Sequence, residues 1–195
     1  MTTPTPADLL LSHRAGLSSD IAYLRSAYPP PTWRAHDNFG ALAAFWLQVH
    51  DSLREQAGAL RQMVSAFGAN RSDAAAFQRL FVPRLNQFLQ HLNGHHQIED
   101  AAYFPKFRAL DPRMATGFAL LESDHAIIHD ALTGSIETAR ALLVALAGDD
   151  DARRRTFDAH ADAADRLRAL LQRHLSDEED LVIPAMLEHG ERSIG

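Results

Sequence analysis

One eleven-residue pattern occurs twice in the chain and constrains the fold more than any other feature. Residues 95–105 read HHQIEDAAYFP, and residues 174–184, which lie 79 positions later, read HLSDEEDLVIP. Each copy has a histidine, a glutamate four residues on and a final proline. The same offset carries His50 onto His129. Internal repeats of this kind predict matched units that bury a common face. We therefore expect two similar halves whose histidines and glutamates face each other.

The spacing of apolar residues predicts that both halves are helical. Apolar side chains recur at intervals of three and four, as in Phe77, Phe81, Phe88 and Leu92, rather than at the interval of two that is typical of strands. Glycine, proline and candidate N-cap residues, Ser72 and Asp111 among them, separate four long segments, at about residues 37–66, 72–106, 111–148 and 149–184. Short connections make neighbouring helices antiparallel. The sequence thus predicts an all-α fold, an antiparallel up-down-up-down four-helix bundle.

The first 35 residues differ from the rest of the chain. A short amphipathic stretch over about residues 8–27 predicts a helical lead-in. Three consecutive prolines at residues 29–31 would end it, because proline has no N–H and clashes with the preceding turn of a helix. We therefore divide the chain into an N-terminal extension, residues 1–35, and a helical bundle, residues 36–195.

Composition limits both the partners and the chemistry. The 195 residues are 46% hydrophobic, which is ordinary for one compact domain, and the formal net charge of −6 gives no sign of a nucleic-acid or membrane partner. The amino terminus lacks the basic start of a secretory signal, and no stretch reaches the ~18 apolar residues of a membrane span, so we expect a cytoplasmic protein. The absence of cysteine excludes thiolate ligands. Any metal chemistry must use the 11 histidines and the carboxylates.

The repeated histidine and glutamate have the spacing of a metal clamp. Residues four apart project from one face of a helix, so each copy of His-x-x-x-Glu offers two ligands to the same side. His125 and His129 form a third pair at this spacing. A single pair is usually solvated, but two pairs in register favour a buried metal site, because burying polar groups without partners is costly. A mixed shell of imidazole and carboxylate suits iron or manganese better than zinc.

Four motifs together resemble the hemerythrin-like HHE cation-binding domains. They are His50-Asp51; His95-His96-x-x-Glu99-Asp100 leading to Tyr103-Phe104-Pro105; Asp124-His125-x-x-x-His129; and His174-x-x-x-Glu178-Glu179 leading to Pro184. The resemblance covers about residues 36–188. It implies a non-heme di-iron centre, two iron ions with an oxo or hydroxo bridge, held by five histidines and two bridging carboxylates.

The resemblance also implies which residues hold each iron. In this set, one iron would be held by His125, His129 and His174, and the other by His50 and His95. Glu99 and Glu178 would bridge the two irons. If both irons are six-coordinate, this set and the oxygen bridge leave one position open, on the iron with two histidines. A small ligand would bind there.

Other residues are candidates to shape the site. The repeat offset places Trp46 opposite His125, so we hypothesise that Trp46 lines a small apolar pocket through which dioxygen, nitric oxide or peroxide reaches the open position. Ordinary core packing is the alternative for Trp46. Asp100 and Glu179 are candidates to orient ligand imidazoles, with a solvated acidic pair as the alternative.

Three choices stay open at this level. Oxygen-carrying hemerythrins place the second bridging acid five residues after its histidine, which selects Glu179, whereas the internal repeat favours Glu178, our choice. His91, one turn before His95, could be a further ligand, a neighbour of the metals or a core residue. His96 points about 100° away from His95 and is expected at the surface or beside the site.

The favoured function is a binding module whose di-iron centre binds or senses dioxygen, nitric oxide or redox state, with a diatomic molecule or peroxide as its ligand. A signal would then pass through a protein partner, and the oligomeric state stays open. The alternatives are a redox enzyme acting on peroxide, iron or nitrosative stress, and a small iron delivery protein. The lack of cysteine argues against the iron–sulfur repair role of family members that carry a cysteine-containing domain.

Overall fold

A computed structural model of the chain describes residues 9–70 and 73–194, the side chains of 69 and 70 excepted, and is helical throughout its regular elements. The long helices are α1 (Ala41–Asn70), α2 (Ala74–Ile98), α4 (Ala115–Ala145) and α5 (Asp150–His189). A π-helix, Glu99–Tyr103, joins α2 to the short α3, Phe104–Leu110. Three 3₁₀ helices occupy Pro30–Ala35, Pro112–Met114 and Glu191–Ser193. The predicted all-α class with four main long helices is confirmed.

Aspartates begin the later helices, as side-chain acceptors for the free N–H groups of a first turn commonly do. The carboxylate of Asp73 accepts from Ala76 N–H at 2.7 Å, whereas the predicted cap, Ser72, lies outside the described residues. Asp149 accepts from Ala152 N–H at 2.7 Å and begins α5 as expected. At the predicted Asp111-Pro112 boundary, Asp111 accepts from Arg113 N–H at 3.0 Å.

The chain divides into two compact units, each of which contains a stretch of all four long helices. The first unit comprises Met1–Asp51, His95–Ala126 and Gln172–Gly195, and the second comprises Ser52–Gly94 and Ile127–Leu171. The core of the first unit is rich in buried aromatic and aliphatic residues, including Phe104, Phe107, Phe118 and Ile183. Among the described residues, no helix combines the length and the hydropathy that crossing a membrane requires.

Residues 9–40, the described part of the segment before α1, pack into the first unit. Residues 9–28 form isolated helical turns instead of one continuous helix. A 3₁₀ helix follows at the prolines, which fit there because the first positions of a helix need no N–H donor. Leu17, Leu24 and Trp33 of this segment are buried in the core of the first unit.

Candidate metal centre

Two groups of buried ligand-type side chains lie in the first unit and share one glutamate. The first group is His50, His95, Glu99 and Glu178; the second is His96, Glu99, His125 and His174. Within each group, one ligand atom from every residue lies within 4.8 Å of the others. The structure thus brings together six of the seven predicted ligands and adds His96. All of them are buried or nearly so.

The two glutamates each face both groups, with one oxygen towards each. Glu99 Oε1 lies 3.0 Å from His95 Nε2, and its Oε2 lies 3.6 Å from His125 Nε2. Glu178 Oε1 lies 3.4 Å from His50 Nε2, and its Oε2 lies 3.4 Å from His174 Nε2. This arrangement suits carboxylates that bridge two ions.

The end of α2 supplies ligands to both groups. Adjacent residues on a helix diverge by about 100°, so His95 can face one group while His96 faces the other. Glu99 then opens the π-helix, in which Phe104 N–H donates to Glu99 O. Pro105 follows and has no N–H with which to continue the regular ladder. Single π turns inside helices are frequent at functional sites, and this one coincides with the shared carboxylate.

His129 is the one predicted ligand that the structure leaves out of both groups, because its side chain is exposed. The buried stripe of α4 passes from His125 through Ile128 to Leu132, which is a step of three and then of four. His129 therefore lies beside the stripe. The structure therefore does not bring His129 into either group, and with His96 five histidines lie at the centre.

The sequence predicts His96 at the surface or beside the site, whereas in the structure it is 8% exposed and stacks on His125 with ring centroids 3.9 Å apart. The signal that could have found it is in the sequence. Phe88 and Leu92 are buried on the inner face of α2, and His96 continues that row at the same spacing of four.

The buried nitrogen and oxygen atoms of the two groups are better placed to bind cations than to form hydrogen bonds with one another. The Nε2 atoms of His50, His95 and His96 make no hydrogen bond of acceptable geometry, and neither do the two oxygens of Glu99, although His95 Nε2 lies 3.0 Å from Glu99 Oε1. Buried polar atoms normally find partners, so such a cluster needs an explanation. An imidazole Nε2 lone pair and a carboxylate oxygen are both metal donors. The residues present therefore fit a pair of cations.

Protonation states at the centre follow from burial and from the two acids. Burial, together with the charge of Glu178, raises the pKa of Glu99 well above its usual value. Burial acts the same way on Glu178, but His50 and His174 outweigh it and lower the pKa of Glu178 well below its usual value. Burial lowers the pKa of His95 to about 3, so this ring is neutral, which is the form that binds metals.

Carboxylates outside the two groups orient three of the imidazoles. The Nδ1 atoms of His50 and His125 lie 2.9 Å from Glu179 and Asp100, respectively. Asp100 and Glu179 thus contact imidazoles of the two groups, and their role in orienting metal ligands stays a prediction. Binding at Nδ1 leaves Nε2 free to face inward, which is how neighbouring acids set the tautomer of metal-binding histidines.

His174 has a third such acid, Asp124, for which the sequence motif predicts no separate role. His174 Nδ1 lies 3.5 Å from Asp124 Oδ2. Asp124 also binds Arg14 of the segment before α1, through both of its oxygens. The sequence carries no local signal for Arg14, because it lies 110 residues from Asp124.

Trp46 is buried and donates its indole N–H to Glu178 Oε1 at 2.6 Å. Its ring packs edge-on against Tyr103, with centroids 4.9 Å apart, and near His50 at 6.3 Å. Trp46 therefore contacts a ligand-type carboxylate directly, which is more specific than core packing. Its role as the wall of a pocket stays a prediction.

The structure shows where His91 and Glu179 lie, the two residues whose roles the sequence leaves open. His91 lies in the second unit, outside both ligand groups, and its Nδ1 accepts from Gln56 Nε2 at 2.9 Å. Glu178 is fully buried within a group, whereas Glu179 binds the far nitrogen of His50. The geometry favours Glu178 as the bridging acid.

Buried histidines on long helices, gathered in two groups that carboxylates join, define a helical protein with a candidate paired-cation site. Comparison with protein families matches residues 41–186, more than half of the chain, to the hemerythrin HHE cation binding domain. The chain belongs to this family, as its motifs suggested. No curated protein and no solved structure matches it.

Proposed function

We propose that this chain holds a non-heme di-iron centre and uses it to bind or sense dioxygen, nitric oxide or redox state. The supporting observation is the pair of glutamates, each with one oxygen beside either histidine group. We assign one ion to the group with two histidines and the other to the group with three, bridged by both glutamates. The ligands are His50 and His95; His96, His125 and His174; Glu99 and Glu178.

The donor set favours iron. Imidazole nitrogen and carboxylate oxygen without sulfur suit iron or manganese, and helical bundles commonly hold paired iron in this way. A bound iron pair supplies the reversible coordination of a small ligand and one-electron redox chemistry. The chain's own residues hold the ions, orient the imidazoles and shield the centre from water.

The two ion positions differ in a way that favours a small ligand at one of them. The group of His50 and His95 has one histidine fewer than the other group, so it has more room for an exogenous ligand. Trp46, with Tyr103 and Phe107 packed against its ring, lies on that side and is apolar apart from its N–H. Such a lining favours a small, weakly solvated molecule such as dioxygen or nitric oxide.

Elemental analysis followed by ligand mixing tests the proposal. Protein produced in iron-containing medium is expected to hold two irons per chain. The reduced protein, prepared without oxygen, is mixed either with nitric oxide or with dioxygen. In each case we expect a saturable spectral change that reverses when the gas is removed. A His129→Gln variant is the matched control and should behave like the wild type, because its side chain is exposed.

The same mixing experiment separates the alternatives. Continuous consumption of peroxide or oxygen with turnover would favour a redox enzyme. Release of iron on each cycle would favour a delivery protein. Wild-type protein that holds no more than one transition-metal ion per chain would refute the di-iron assignment.

A further inference from the structure

The segment before α1 places a buried charge behind the candidate metal centre. The side chain of Arg14 is 2% exposed, although arginine is rarely buried. Its Nη1 donates to Asp124 Oδ1 at 3.0 Å, its Nη2 donates to Asp124 Oδ2, and its Nε donates to Asp177 Oδ2 at 2.6 Å. The planar fork of a guanidinium suits this two-oxygen grip on one carboxylate.

The surrounding residues hold this arginine in place. Leu11 and Leu17, three residues to either side of Arg14, are buried. Arg14 Nη1 also donates to Leu9 O at 2.9 Å, and Arg173 of α5 donates to Ala15 O at 2.5 Å. The segment is thus anchored to the first unit by its backbone as well as by its side chains.

Asp124 connects Arg14 to a ligand histidine. One oxygen of Asp124 lies 3.5 Å from His174 Nδ1, and the opposite nitrogen of this ring lies 3.4 Å from Glu178 Oε2. Because Arg14 binds both oxygens of Asp124, the plane of the carboxylate is set by Arg14. Asp124 in turn sets the ring angle of His174 and keeps its proton on Nδ1, away from the ion position.

We propose that Arg14 is a positioning residue for the metal centre, acting through Asp124 on His174, so that the segment before α1 completes the site. This rests on the proposed paired-metal function. Arg14 lies outside residues 41–186, the part of the chain that matches the family, so the family match does not assign it this role.

Arg25 provides a matched control. It lies in the same segment and pairs with Asp180 of α5 at 3.0 Å, but its side chain is half exposed and its partner contacts no ligand group in the described residues. Arg14→Gln and Arg25→Gln each remove one arginine that ties this segment to the bundle. Only the first removes the support of a ligand histidine.

Affinity for Co²⁺ and Fe²⁺, measured anaerobically by competition with a chelator on the full chain, tests the proposal. For Arg14→Gln we expect helicity by circular dichroism to be retained, one of the two ions to bind about tenfold more weakly, and the other to bind as before. Arg14→Lys should recover part of the loss, since it restores the charge without the fork. Arg25→Gln should match the wild type.

A spectroscopic readout separates positioning from mere anchoring. In the Co²⁺-loaded protein, the Nδ1–H proton of His174 is expected to give a shifted resonance that exchanges slowly with water. Arg14→Gln should speed this exchange or move the resonance, whereas Arg25→Gln should not. Affinities within about twofold of the wild type, with an unchanged resonance, would overturn the proposal.

Failure of the role of Arg14 can be distinguished from failure of the paired-metal function. If Arg14→Gln fails to fold, Asp124→Asn becomes the test, because it keeps the shape of the side chain; an unchanged affinity for both ions would then overturn the role of Arg14. If the wild type takes up no second ion, the proposed function fails and the role of Arg14 fails with it. Two ions in the wild type and in Arg14→Gln, with equal affinity, overturn only the role of Arg14.

Discussion

Replacing His96 by phenylalanine should stabilise the metal-free protein while removing one metal ion. The ring of His96 is 8% exposed, and its Nε2 has no hydrogen-bond partner in the structure. A buried polar atom without a partner costs about 1–3 kcal/mol, and a ring of similar shape without that atom recovers most of it. Phenylalanine can also keep the stacking on His125, at 3.9 Å and 8° between ring planes.

When iron is present, the effect of His96→Phe on the free energy of unfolding should reverse. A ligand that binds only the folded state adds stability that grows with its concentration, about 2.7 kcal/mol at 100 times Kd. His96→Phe loses one of the three histidines of its group and should lose most of that increment for one ion. We therefore expect the variant to unfold at higher denaturant than the wild type with a chelator present, and at lower denaturant with excess ferrous iron.

Chemical denaturation under both conditions, with elemental analysis of the loaded protein, measures the effect. His129→Phe is the control: its side chain is exposed, so its free energy of unfolding should stay within about 0.5 kcal/mol of the wild type and its metal content should be unchanged. Loss of an ion from His129→Phe, with full metal content in His96→Phe, would refute the choice of His96.

Four other substitutions probe the centre and its neighbours. Glu178→Gln should lose bound metal, whereas Glu179→Gln should keep two ions with roughly tenfold weaker affinity, since it only orients a ligand; equal metal content and affinity in both variants would contradict the bridging role. Trp46→His should change the nitric oxide spectrum of the loaded protein, and an identical spectrum would count against a pocket role. Burial raises the pKa of Asp180 from 3.8 to about 6. The folded state then binds this proton more tightly than the unfolded state, so metal-free stability should fall as pH rises from about 4 to 6; Asp180→Asn should flatten this decline in denaturation curves, and an equally steep decline in the variant would contradict it.

Local spacing was sufficient to predict the helices and both clamps. A period of three to four marks a helix face, and a spacing of four places histidine and glutamate on the same side, so His95 with Glu99 and His174 with Glu178 could be found without a structure. The boundary at Asp111 followed from the chemistry of a cap before proline.

The rotation of each helix about its axis could not be predicted from spacing alone. The repeat pairs His50 with His129, yet only His50 is buried, because the inner stripe of α4 passes through Ile128 instead. The angle of about 100° between His95 and His96 shows that the two rings diverge, but spacing alone does not show that His96 faces the group of His125 and His174.

Contacts between residues far apart in the sequence also could not be predicted. Arg14 meets Asp177 across 163 residues, and a charged residue in an amphipathic stretch is ordinarily solvated. Trp46 was placed near the centre by the repeat, but its hydrogen bond to Glu178 depends on how two helices pack. Both contacts arise from tertiary structure.

Anomalous diffraction at the iron edge, from crystals of the protein grown with its metal, tests the central claim most directly. We predict two iron peaks, both next to Glu99 and Glu178. One should lie beside His50 and His95, and the other beside His96, His125 and His174. A single peak, or a second peak beside His129, would contradict it.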